Sequence, residues 1–214
     1  NQTFSNSNFE IIIVNDKSND NTYSTLKSYT KDIKNLIVLN IDETPENWDS
    51  KMWALNKGIL NAKGDIILHT DGDCIPEKKW VENIASEFGD INVGVVCGFT
   101  PLKGNDILAL ENIAQDAFYG LAIANNWIFS CNGRSFAYRK KYFLDINGYS
   151  GFNNILGGDD DLLLHKIVHM KHCKVKYVIA KNSFVFSKTP NTINQFISQR
   201  LRYAYKSTIF YLFS

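Results

Sequence analysis

In the stretch His69-Thr70-Asp71-Gly72-Asp73-Cys74-Ile75-Pro76, two carboxylates stand one residue apart just beyond an apolar run, Asp65-Ile66-Ile67-Leu68. The run has the length and composition of a buried strand that ends in a turn. Residues i and i+2 at the carboxyl end of a strand point to the same side. That puts two hard oxygen ligands where a divalent cation and a phosphate could meet. By itself, Asp-x-Asp also describes a solvated turn or a helix cap. The order of the segments on either side narrows the choice.

Upstream, Phe9 to Asn15 is a continuous apolar run of strand length, followed by the polar turn Asp16-Lys17-Ser18-Asn19-Asp20. Leu26, Tyr29 and Ile33 recur at helical spacing, Leu36 to Asn40 is a second strand, and a helix is expected from about Lys51 to Ala62. Strand, helix, strand, helix, strand with short links is the pattern of an α/β sheet wound by crossovers. Ligands of such sheets bind beyond the carboxyl ends of the strands, where Asp16, Asp71 and Asp73 all lie.

Downstream, Trp80, Ile84 and Phe88 mark one face of a helix, and Val93 to Phe99 is another strand. Ile107, Leu110, Ala114, Ala117 and Leu121 stripe a longer helix and are expected in the core. Cys131 to Arg139 is a polar loop entering a strand. Gly157-Gly158-Asp159-Asp160-Asp161 then opens a helix, Lys174 to Ile179 and Ser183 to Phe186 are late strands, and Thr192 to Ser207 is a final helix.

Three consecutive Asp at a helix start exceed what capping needs, and one of them, facing a cation, could serve as a general base. His165, His169 and His172 share a helix face, but no carboxylate is interleaved with them, so a packed or exposed face is expected there. On the last helix Gln199, Arg202 and Tyr203 fall on one face. A guanidinium there could neutralise a diphosphate, and an aromatic ring could carry a sugar.

The 214 residues suffice for one substantial domain, and 44% hydrophobic with 21% charged residues is ordinary globular composition. A net charge of +1 gives no electrostatic case for nucleic acid. The four cysteines show no paired spacing and are expected to be reduced. No run approaches eighteen apolar residues. The chain starts without Met and ends in Ile209-Phe210-Tyr211-Leu212-Phe213, so it is expected to be a piece of a longer protein.

Together these motifs resemble the family 2 glycosyltransferases, inverting enzymes that use a nucleotide sugar. Val14 to Asp20 looks like the family's nucleotide-binding turn, and Ser50-Lys51-Met52-Trp53-Ala54-Leu55-Asn56 is similar to its Gly-Lys-x-x-Ala-Leu-Asn segment, with Ser for Gly. Asp71-Gly72-Asp73 matches its Asp-x-Asp. Asn132-Gly133 with Ala137-Tyr138-Arg139 resembles the acceptor-side loop of a membrane-associated bacterial branch, and Gly158-Asp159-Asp160 that branch's Gly-Asp-Asp. Gln199 to Tyr203 resembles Gln-x-x-Arg-Trp, with Tyr for Trp.

The resemblance implies a single GT-A type, Rossmann-like domain over residues 1–214, with a mixed, mostly parallel central sheet flanked by helices. Residues 1–100 would bind the nucleotide sugar and 101–214 the acceptor, and the family's first strand is missing from this sequence. It further implies a hexosyl- or N-acetylhexosaminyl-transferase acting from a UDP-linked donor onto a saccharide or lipid-linked hydroxyl, in cell-envelope or polysaccharide synthesis. The expected place is the cytoplasmic face of a cell membrane, reached through segments outside this chain. Asp71 and Asp73 would hold Mn or Mg, Asp16 and Lys51 the donor, and Asn132, Gly133, Gln199 and Tyr203 the acceptor. Asp160 would be the base, assisted by Arg202, with Asp159 capping the helix or orienting acceptor hydroxyls. The third Asp leaves the register of the base open. A sugar-phosphate nucleotidyltransferase and a non-catalytic nucleotide-sugar-binding domain are the alternatives.

Overall fold

The computed structural model describes residues 2–201. The chain opens with β1 (Ile11–Asp16), α1 (Thr22–Tyr29), β2 (Leu36–Ile41), α2 (Ser50–Asn61) and β3 (Ile66–His69). It continues through β4 (Ile75–Pro76), α3 (Trp80–Ser86), β5 (Val93–Gly98), β6 (Leu102–Lys103) and α4 (Asp106–Ala124). Then come β7 (Phe136–Arg139), α5 (Lys140–Asp145), α6 (Asp161–Lys171), β8 (Lys174–Val178) and β9 (Val185–Lys188). A last helical stretch covers 193–201.

The central sheet has the order β3-β7-β5-β8. β7 runs antiparallel to both β3 and β5, while β5 and β8 are parallel. Three of its four strands therefore point one way and only β7 opposes them, which is the mixed, mostly parallel sheet expected. β1 and β2 form a separate parallel pair, and β4, β9 and β6 a small three-stranded sheet.

Strand alternation divides the core between the two faces of the central sheet. Val95, Cys97, Phe136, Tyr138 and Ile67 join Met52 and Ile59 of α2 and Leu163, Leu164 and Ile167 of α6. Val96, Ala137 and Val178 join Trp80, Ile84 and Phe88 on the other side. Val93 belongs to this second group although it is two residues from Val95, because the ladder slips between them at a bulge. The face Trp80-Ile84-Phe88 is buried as its spacing predicts.

Two expectations need correcting. α1 ends at Tyr29, and Tyr29 and Ile33 are exposed, since this short helix packs against β2 without burying any of its residues. More consequentially, α4 is turned the other way round: Ile107, Leu110 and Leu121 face outward, 66–78% exposed, while Asn112 and Asp116 face inward. The reason is local. The chain leaving β5 has backbone N–H groups with no strand partner, and Asn112 Oδ1 accepts that of Leu102 (3.1 Å) while Asp116 Oδ2 accepts that of Thr100 (2.7 Å). A buried N–H without an acceptor is costly, and Asn112 and Asp116 on the inward face supply the acceptors these two need. Gly120 completes that face by letting the Tyr177 ring approach α4.

No helix among the described residues is long and apolar enough to cross a membrane. The reversed α4 makes a direct prediction. Leu110→Ser, at a 68% exposed position, should shift stability by no more than about 0.5 kcal/mol. Leu163→Ala, fully buried, should cost about 2–5 kcal/mol. Denaturant unfolding of both variants checks the orientation; a comparable loss for Leu110→Ser would place that face in the core after all.

Candidate active site

The site is assembled at the first turn of α2. Asp49 caps this helix by accepting the N–H of Met52 (3.0 Å), which fixes Ser50 and Lys51 at the carboxyl ends of the strands. Ser50 Oγ donates to Asp16 Oδ2, tying α2 to the end of β1. Lys51 reaches the other way. Its Nζ lies 3.1 Å from Asp71 Oδ1 and 2.9 Å from Asp159 Oδ2. The ammonium therefore joins the Asp-x-Asp turn to the acidic turn before α6. Burial works against its charge, yet the two carboxylates outweigh burial and hold Lys51 well above its ordinary pKa.

Asp71, Asp73 and Cys74 bring one donor atom each within 4.8 Å of one another. The two carboxylates suit a hard divalent ion such as Mn or Mg. The thiol does not: burial and the neighbouring carboxylates hold Cys74 above its ordinary pKa, so it stays protonated beside them. Behind the turn, His69 Nε2 meets Tyr138 Oη at 2.9 Å. Burial and the Lys51 charge push this imidazole down to about 4 against the pull of Asp71, so it is neutral at pH 7.

The three Asp residues before α6 take three different partners. Asp159 is buried against Lys51. Asp160 is the N-cap, its Oδ1 accepting the N–H of Asp161 (2.7 Å), while its Oδ2 accepts the N–H of Gly133 (3.2 Å). Asp161 Oδ1 accepts from Ser130 Oγ (2.9 Å) and from the N–H of Cys131 (3.0 Å). The cap expected of Asp159 thus belongs to Asp160, because Lys51 claims the Asp159 carboxylate first. Gly133 sits at this place for a steric reason, since a Cβ there would stand 2.7 Å from Asp160 Oδ2.

Asn132 and Gly133 are therefore beside Asp160, and Asp16, Lys51, Asp71 and Asp159 are linked through α2. Gln199 lies half-buried on the last described helix, whose Arg200 pairs with Glu111 of α4. Arg202 and Tyr203 lie outside the described residues. His165 bonds the Phe129 carbonyl (2.8 Å), and His172 ends α6 in the left-handed conformation.

Several participants were not singled out from the sequence. Asn15, 4% exposed, has a buried Oδ1 without a donor among the described residues, next to Asp16. Asp116, Thr100 and Arg134 form a bonded set under the Asn132 loop. The sequence signal for Asp116 was its i, i+4 spacing from Asn112 on a helix that also carries Glu111 and Gln115.

Comparison with known proteins places this geometry. Glycosyltransferase AglE of Haloferax volcanii is 30% identical over 97 residues, which are 45% of this chain and 31% of that protein. Probable glycosyltransferase YdaM of Bacillus subtilis is 27% identical over 203 residues, 91% of this chain and 47% of its own length. The chain thus spans less than half the length of either relative. Among solved structures, S. aureus TarS 1-349 superposes with a TM-score of 0.64 at 18% identity, over 95% of this chain and 58% of that one. The same protein in complex with UDP-GlcNAc gives 0.63 at 17% identity, over 91% and 53%. These neighbours share the GT-A type fold. The family model for Glycosyl transferase family 2 matches residues 1–147, and on that match the chain belongs to glycosyl transferase family 2.

Proposed function

We propose that this glycosyltransferase moves a sugar, with inversion, from a UDP-linked donor to a saccharide or lipid-linked hydroxyl. The observation that carries the proposal is Lys51, whose one ammonium holds Asp71 and Asp159 within 3.1 and 2.9 Å. It sets a diphosphate-binding turn beside a turn that carries a candidate base, the separation of roles an inverting transfer needs. The choice of a uridine donor is supported by the solved neighbour in complex with UDP-GlcNAc. Asn15 and Asp16, at the end of β1, offer an amide oxygen and a carboxylate to the N–H and hydroxyl groups of the nucleoside.

Asp71 and Asp73 are the residues that would hold Mn or Mg. Such an ion, when bound, neutralises charge on the departing nucleoside diphosphate. Lys51 keeps Asp71 and Asp159 in place, and Asp160 takes the proton of the attacking hydroxyl. Gly133 leaves room for the Asp160 carboxylate and donates a hydrogen bond to it (3.2 Å). Gln199, Tyr203 and the Asn132 loop are assigned to the acceptor, and Arg202 to the leaving diphosphate. The resemblance to a membrane-associated bacterial branch supports a role in cell-envelope or polysaccharide synthesis at the cytoplasmic face of a membrane.

Calorimetric titration with UDP-GlcNAc tests the metal role. Removing Mn with a chelator, or the Asp73→Asn change, should weaken binding by about tenfold or more, on the order of 1.4 kcal/mol. Equal affinity with and without the ion would remove it from the donor site.

The base is tested by the rate of UDP release from UDP-GlcNAc, with water standing in for the acceptor hydroxyl. Asp160→Asn should lower that rate about a hundredfold or more with donor affinity intact, the usual scale for losing a general base. Gly133→Ala, which drives a methyl into Asp160, should lower it as well. Asp161→Asn should cost much less; if it alone stops release, the base lies one residue further on.

A further inference from the structure

The carboxylate of Asp116 is the most deeply buried charge among the described residues that the proposed reaction leaves unused. It is 0% exposed, on the inward face of α4. Burial raises its pKa, and the hydrogen bonds from Thr100 oppose that rise. A carboxylate kept in such a place has to be matched by donors, and the donors identify what it holds.

Its Oδ2 accepts both the N–H and the hydroxyl of Thr100, at 2.7 and 2.8 Å. Its Oδ1 accepts Asn132 Nδ2 at 3.3 Å. Asn132 Oδ1 in turn accepts from Arg134 Nε (3.0 Å) and from the Arg134 N–H (3.3 Å). Arg134 Nη2 returns to Thr100 Oγ1 at 3.1 Å, closing the ring. Each hydroxyl and amide is used in its allowed sense: the Thr100 hydroxyl donates to Asp116 and accepts from Arg134. The loop over residues 132–134 is thereby clamped from below, with its two side chains fixed on either side of Gly133. The N–H of Gly133 is what meets Asp160 Oδ2.

We propose that Asp116 is a positioning residue for the base, acting through Asn132 and the Gly133 N–H to set the direction of the Asp160 carboxylate. Asp116 touches no reacting atom. It determines where the Gly133 N–H points, and that donor occupies one of the two Asp160 oxygens. The cap bond to Asp161 occupies the other oxygen on its helix side. The two bonds together fix the plane of the Asp160 carboxylate. This extends the assignment of Asp160 as base and rests on it.

The test is a double-variant cycle on the purified protein, using UDP-GlcNAc with Mn and reading UDP release. Asp116→Asn keeps the size of the side chain and should lower kcat about tenfold or more, the scale of a small misplacement of a catalytic group. Donor affinity by calorimetry should be unchanged. In an Asp160→Asn background the same change should cost nothing further, because groups that act as a unit are not additive. Asn132→Ala breaks the relay from its surface side and should behave the same way, which covers the case in which Asp116→Asn folds poorly.

An independent readout needs no turnover: the amide proton shift of Gly133. Asp116→Asn should move it toward the value it takes in Asp160→Asn. Losses that multiply in the double variant would overturn the proposal, as would a Gly133 amide indifferent to both Asp116→Asn and Asn132→Ala. An undiminished rate in Asp160→Asn would instead sink the base assignment, while the Gly133 amide still decides whether Asp116 orders the loop.

Discussion

Lys51 carries one positive charge to two carboxylates that belong to distant parts of the chain, Asp71 after β3 and Asp159 before α6. Its ammonium is the contact that links the two. At a few ångströms, two unscreened negative charges repel by several kcal/mol at the intermediate dielectric of a protein surface. Lys51 reverses the sign of that interaction. The Asp159 side chain is only 9% exposed, so its charge has little water to fall back on, whereas Lys51 is 52% exposed and retains part of its hydration. The buried carboxylate is costly to leave alone, and the more exposed ammonium supplies the countercharge it needs. That asymmetry makes the bridge an organising contact, more than a surface ion pair of little worth.

The position of Lys51 is itself fixed by helix chemistry. Asp49 caps α2, Met52 and Ile59 bury its inner face, and Ser50 and Lys51 are left at the mouth of the sheet. Ser50 turns to Asp16 and Lys51 to the two acidic turns. One helical turn therefore connects the expected nucleoside end of the cleft with its expected reactive end. A Ser where the family has Gly is consistent with this, since its hydroxyl has the carboxylate of Asp16 to bond.

Much of this was legible in the chain. The strands are continuous apolar runs bounded by turns, so β1, β2, β3 and β5 fall where the runs lie, and the acids fall at their ends. The direction of α4 was not legible, because its apolar residues have helical spacing whichever face is inside. What decides is the demand of two backbone N–H groups, those of Thr100 and Leu102, and that demand arises only once β5 and β6 exist. The cap of α6 was misplaced for a similar reason: a run of three Asp gives no sign of which one a lysine a hundred residues away will take. Arg134 and Thr100 escaped because neither sits in a motif, and their partners are met only in three dimensions.

The three consecutive Asp residues are best understood through geometry rather than number. At the start of a helix, successive residues diverge by a large angle, so neighbouring side chains cannot serve one ligand together. Asp159, still in the preceding loop, turns back to Lys51; Asp160 turns across to Gly133; Asp161, the first helical residue, turns to Ser130 and Cys131. The outer two bind the walls, Asp159 through Lys51 of α2 and Asp161 through Ser130 and Cys131. Asp160 accepts the backbone N–H groups of Gly133 and Asp161, one on each carboxylate oxygen, and these two bonds set the direction of its carboxylate between the two walls.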